Sequence, residues 1–136
     1  QAGVRHITIA NRTVAKAEAL VASHSALASL QKSELLALAP QAVEGDFDVI
    51  INATASSLAG DAVPVPASVL RPGSLAYDMM YGPAAQGFLD WAQAHGAVAR
   101  DGLGMLVEQA AEAFAIWRGV RPPSAQVLEE LRRAPH

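Results

Sequence analysis

Residues 4–16, VRHITIANRTVAK, run from an apolar, β-branched segment into Asn11-Arg12-Thr13 and at once into a helical pattern. In a doubly wound α/β sheet, the end of the second strand lies beside the adenosine ribose of a bound dinucleotide. An acidic residue there hydrogen-bonds the 2′-hydroxyl of NAD, whereas an arginine accommodates the 2′-phosphate of NADP. The position holds Arg12, between two short polar side chains and with Lys16 one helical turn on. These residues read as an NADP-type site. The Gly-rich loop that should precede such a strand is not found in the sequence.

The rest of the chain sets the limits around this stretch. Its 136 residues are one domain's worth and can bury a real core. With 51% hydrophobic and 17% charged residues it is too apolar for disorder. A formal net charge of −3 gives no long-range attraction to nucleic acid or to an anionic membrane, so neither is expected as a partner. The absence of cysteine removes disulfides and thiolate chemistry and fits a cytoplasmic location. No apolar run approaches the roughly 18 residues of a membrane span. The chain opens on Gln1-Ala2-Gly3 without an initiator methionine and reads as part of a longer polypeptide.

Strand-like and helix-like segments alternate. Strands are expected over residues 4–10, 48–52, 75–78 and 97–100, with a short edge strand over 26–30. Helices are expected over 13–23 with Thr13 near the N-cap, 33–38, 83–95 stopped by Gly96, 104–118 ended by Gly119, and 124–133 begun by a serine cap. Residues 53–66 read as a Ser-, Gly- and Pro-rich loop, followed by a helical turn over 66–70. This order implies an α/β, doubly wound, mostly parallel sheet with helices on both faces. Ligands in such sheets sit at the carboxyl ends of the strands. The conspicuous polar residues gather there: Asn11-Arg12-Thr13, Asn52-Thr54-Ser56, Asp78-Tyr81 and Asp101-Gly102.

Four motifs in order, Asn11-Arg12-Thr13, Ile51-Asn52-Ala53-Thr54, Tyr77-Asp78-Met79-Met80-Tyr81 and residues 101–110, DGLGMLVEQA, cover essentially the whole chain. In these motifs the chain resembles the C-terminal, NADP-binding half of shikimate dehydrogenase. The resemblance implies a Rossmann-like domain over residues 1–136 that lacks the first strand, the Gly-rich loop and the N-terminal substrate domain. It implies that Asn11, Arg12, Thr13 and Lys16 clamp the 2′-phosphate, with Arg12 also lying over the adenine. Asn52, Thr54 and Ser56 are placed near the ribose and pyrophosphate, although Ala55-Ser56-Ser57-Leu58 departs from the family's Ser-Ser-Gly. Met79, Gly102 and Met105 are placed at the nicotinamide, with Gly102 admitting a close approach of backbone. Tyr81 and Gln109 are the implied substrate ligands, for the carboxylate and a hydroxyl of shikimate or 3-dehydroshikimate. Met105 and Gln109 are four apart and share a helix face, whereas Leu106, Ala110 and Ala113 are expected on the packed side. Asp101 is expected to cap the helix that follows.

The same polar residues have plainer readings as turn formers and surface cations. His6, His24, His95 and His136 show no metal spacing, and His6 reads as a structural strand residue. Ser56 and Ser57 lack a hydrolase nucleophile context. Residues 129–133, EELRR, read as a solvated helix face with intrahelical pairing. The resemblance assigns proton transfer to a lysine and an aspartate of the N-terminal domain, so the chain alone is expected to be inactive and to bind NADP weakly. Loss of a central strand would leave two open sheet edges and favour self-association. A quinate/shikimate dehydrogenase paralogue and a non-catalytic nucleotide-binding module are the alternative readings.

Overall fold

A computed structural model of the protein describes residues 3–54 and 62–134. The chain divides into two units, Gln1–Asp46 with Pro64–Val69, and Phe47–Val63 with Leu70–His136. No described helix is long and apolar enough to cross a membrane.

In the first unit the β-branched run forms strand β1 (His6–Ala10), followed by helix α1 (Val14–Leu30) and strand β2 (Glu34–Leu38). The strands pair in parallel, from His6 opposite Glu34 to Ala10 opposite Leu38. The expected helix of residues 13–23 and the expected edge strand of 26–30 are one element. The polar run Ser23-His24-Ser25 does not end the helix, because Ser23 and Ser25 donate to the carbonyls of Leu20 and Ala22 within it. Lys32, at φ 54, makes the turn out of the helix. The expected helix of residues 33–38 is instead β2. Its Leu-rich sequence favours a helix locally, but the parallel ladder to β1 overrides that preference. His6 closes the first rung by a 2.8 Å contact between its Nδ1 and Glu34. Thr13 occupies the N-cap of α1 as expected, but its side chain makes no capping hydrogen bond. Side chains of α1 and both strands, among them Ile7, Ile9, Leu20, Leu27 and Leu35, line an apolar groove of about 420 Å³.

The second unit holds strands β3 (Val49–Asn52), β4 (Leu75–Asp78) and β5 (Val98–Arg100), all parallel, in that spatial order. Ser74, buried ahead of β4, donates to the carbonyl of Phe47 at 2.7 Å and accepts from the Arg71 amide. Helix α2 (Pro83–Ala94) buries Ala85, Phe88 and Ala92 and packs on β4 and β5. Pro83 opens it at the position where a missing N–H costs nothing. Helix α3 (Leu103–Arg118) ends at Gly119, whose φ of 70° suits a residue without Cβ. Its packed stripe is Leu103, Val107 and Ala111. Leu106 and Ala110 are exposed and Ala113 half-buried, so the expected packed side is rotated away, because the stripe repeats every four residues from Leu103. Helix α4 (Ser124–Arg133) takes Pro123, not Ser124, as its N-cap residue. Arg121 is clamped by Glu112 and Glu108, each at 2.7 Å, and these hydrogen bonds, Glu112's foremost, hold its guanidinium above the usual pKa.

Every strand pair is parallel, as the alternation implies. Among the described residues β1 pairs with β2 alone and β3 with β4 alone, leaving one edge of each unpaired. The rung Val49–Leu75–Val98 and its neighbour Ile51 remain exposed on the second sheet.

The continuation of α1 through residue 30 is checked by Ala26→Pro. Within a helix this substitution removes a hydrogen bond and should cost about 3 kcal/mol in chemical denaturation.

Candidate functional site

Both turns that leave the strands β1 and β3 are built by the same device. Asn11 Oδ1 accepts the N–H of Thr13 at 2.9 Å, and Asn52 Oδ1 accepts the N–H of Thr54 at 3.1 Å. The Thr54 hydroxyl also donates to Asn52, at 2.7 Å. A short amide side chain thus replaces the ladder partner that each strand end loses. Asn11, Asn52 and Thr54 are accordingly committed to shaping their turns.

In the first unit Arg12 and Lys16 are exposed, and neither has an ion-pair partner among the described residues. The first turn of α1 contains no acidic residue. Its unsatisfied amides and these two cations leave the start of the helix positive, a setting that suits an anion. Asn11, Arg12, Thr13 and Lys16 are thus brought together at the carboxyl end of β1.

In the second unit the carboxyl ends of β3 and β4 are joined by a carboxylate. Asp78 is fully buried, accepts from Asn52 Nδ2 at 3.1 Å and accepts the Met80 N–H at 2.8 Å. These contacts set the path of Met79, Met80 and Tyr81 beyond the strand. Sequence reasoning gave Asp78 no role. The available signal was that Asn52 and Asp78 both close apolar strands. Met79 and Tyr81 are 42% and 45% exposed, so both are open to a ligand.

Gly102 is buried against this segment. Its N–H donates to the carbonyl of Met80 at 2.8 Å, and a Cβ at position 102 would overlap the Met79 carbonyl. The requirement for glycine therefore comes first from backbone meeting backbone, before any ligand is considered. Asp101 caps the helix as expected, accepting the Leu103 N–H at 3.3 Å, although Gly102 is the N-cap residue itself. Arg132 reaches Asp101 from α4 at 2.9 Å. The residues 129–133 were expected to pair within their own helix, and Arg133 does so with Glu129 at 2.8 Å. Arg132 does not, and its partner 31 residues away could not be read from local spacing.

Met105 is half-buried and Gln109 exposed on α3. The Gln109 side chain has no hydrogen-bond partner among the described residues, so it is free to meet a polar ligand. Ser56 lies outside the described residues. Among the described residues no three His, Asp or Glu side chains gather as a metal site would require.

Residues 102–132 match the family model of the Shikimate 5'-dehydrogenase C-terminal domain. The chain is 77% identical over 133 residues to the shikimate dehydrogenase (NADP(+)) of Verminephrobacter eiseniae, covering 98% of this chain and 46% of that protein. It is 79% identical over 130 residues to the shikimate dehydrogenase (NADP(+)) of Acidovorax ebreus, covering 96% of this chain and 46% of the relative. The chain therefore spans about half the length of the curated relatives it matches. Among solved structures, the shikimate 5-dehydrogenase of Thermus thermophilus in complex with NADP(H) and shikimate is 27% identical, with a TM-score of 0.63. That match covers 94% of this chain and 46% of the other.

Gly102→Ala tests the backbone contact. Overpacking against Met79 should lower the unfolding free energy by roughly 1–3 kcal/mol, read by denaturant titration.

Proposed function

We infer from this kinship with the shikimate dehydrogenases that the chain is the NADP-binding portion of an oxidoreductase that reduces 3-dehydroshikimate to shikimate, a step of aromatic amino-acid biosynthesis. The observation that carries the cofactor assignment is the pair of exposed cations at the start of α1, Arg12 and Lys16, which have no ion-pair partner among the described residues. An acid at Arg12 would suit an unphosphorylated ribose, whereas two cations suit a 2′-phosphate. NADPH, when bound, supplies the hydride. Arg12 offers a planar fork to the phosphate and a flat cation to the adenine face. Asn11 and Thr13 hold the turn that presents it, and Lys16 adds a second charge.

Asn52 and Thr54 shape the loop assigned to the ribose and pyrophosphate. Met79, Gly102 and Met105 make the nicotinamide bed, where polarizable thioethers lie against a flat ring. Tyr81 and Gln109, exposed and polar, serve the carboxylate and a hydroxyl of the substrate. The whole of residues 1–136 then acts as a cofactor-binding domain in the cytoplasm. The resemblance assigns the proton-transfer lysine and aspartate to no residue of this chain, so the chain by itself is read as inactive. The edges of β1 and β3 that lack a partner strand among the described residues, with Val49 and Ile51 exposed, favour self-association.

Calorimetric titration of the chain with NADP and NAD tests the cofactor assignment. NADP should bind the more tightly, and Arg12→Asp should weaken NADP roughly ten- to hundredfold, the worth of a charge-assisted contact, while sparing NAD. An unchanged preference would sink the assignment of Arg12. Light scattering across a concentration series should show a mass that rises above that of the 14.2 kDa monomer. A constant monomer would remove the self-association.

A further inference from the structure

Five ion pairs other than Asp101–Arg132 are described, and in each both partners are at least 44% exposed. Such pairs are screened and contribute little. Asp101 is different, with its side chain only 14% exposed. Arg132 approaches it as a fork, Nη2 to Oδ1 at 2.9 Å and Nη1 to Oδ2 at 3.5 Å. The same Oδ1 accepts the Leu103 N–H, so one carboxylate ties α4 to the first turn of α3. The two helices also pack on one another beside this link, where Gly104 leaves room next to Leu128 of α4.

Gly102 stands between Asp101 and Leu103, the two residues that this carboxylate links. Its N–H is spent on Met80, and the space where a Cβ would stand is taken by the Met79 carbonyl. A shift of Asp101 therefore moves Gly102 directly against Met79, with no flexible side chain between them to absorb it. We propose that Arg132 is a positioning residue for the nicotinamide bed: acting through Asp101, it fixes the height of Gly102 against Met79. The proposal rests on the assignment of Met79 and Gly102 to the nicotinamide. It gives α4, which contributes none of the ligand-facing residues, a defined part in cofactor binding.

The experiment uses Arg132→Ala and Arg132→Lys in the full chain, with Arg133→Ala as the control for loss of a charge on α4. Calorimetry compares NADP with 2′,5′-ADP, which carries the 2′-phosphate but no nicotinamide. Arg132→Ala should weaken NADP roughly three- to tenfold, as expected for coupled contacting residues, and leave 2′,5′-ADP unchanged. Arg132→Lys should recover part of the loss, and Arg133→Ala should cost nothing. Adding Asp101→Asn to Arg132→Ala should weaken NADP no further, since the arginine acts through that carboxylate. Equal weakening of both ligands would reduce Arg132 to a structural residue and overturn the proposal, as would no change in either.

Amide hydrogen exchange separates this from the cofactor assignment itself. Gly102 and Leu103 should exchange faster in Arg132→Ala while Ala76 and Tyr77 of β4 keep their protection. If the unaltered chain binds neither nucleotide, the cofactor assignment fails. Exchange then decides whether Arg132 holds this turn: unchanged rates at Gly102 and Leu103 overturn that, and faster rates uphold it.

Discussion

The second unit depends on the way a buried carboxylate is satisfied. Asp78 sits at the end of β4 with no exposure to solvent, where an unpaired charge would be costly. It is tolerable because Asn52, its register partner on β3, and the Met80 amide both donate to it. Those two contacts tie the ends of neighbouring strands together and decide where the chain goes next. Met79 follows from that path, Gly102 packs on Met79, and α3 starts from Gly102. A single polar group therefore sets the positions of residues that come from three strand ends.

Much of this was legible in the sequence, and the successes and failures have separable causes. Strand β4 was read to the residue because its apolar run is bounded by Gly73-Ser74 and an acid. The end of α3 was read from Gly119, whose conformation excludes most other residues. Between residues 23 and 38 the structure departs from the local sequence pattern twice. Serine and histidine looked like a terminator although their side chains fold back onto the helix, and Glu34-Leu35-Leu36-Ala37-Leu38 looked helical although a parallel partner claims it. The first departure turns on side-chain bonds three residues back along the helix, the second on a strand partner that local sequence does not reveal. At the candidate site, Asn11, Asn52 and Asp78 do stand at or just beyond strand ends, as the pattern of apolar runs implies. The sequence could not say that Asn11 and Asn52 turn inward to their own backbone, nor that Arg132 reaches Asp101.

The two asparagine turns divide the labour at these strand ends in the same way. The amide oxygen is used within the turn, and the residues that follow carry what faces outward. After Asn11 this is the cation Arg12, and after Asn52 it is Ala53, which has no polar group to offer. Similar local geometry thus presents opposite chemistry, charge in one unit and bare backbone in the other.

The parallel pairing of all the strands also bears on how the chain reaches this structure. His6 and its partner Glu34 are 28 residues apart, and Asn52 and Asp78 are 26 apart. No hairpin can zip such strands together, so the entropy of closing a long loop is lost before the first rung is gained. Helices such as α1 and α3 can form from local contacts while the strands still wait for their partners. The chain is thus expected to fold more slowly than a helical bundle of its length, with its strands unprotected for most of that time. Ribosomal synthesis eases this for β1, α1 and β2, which emerge in order and can close around one another before β3, β4 and β5 exist.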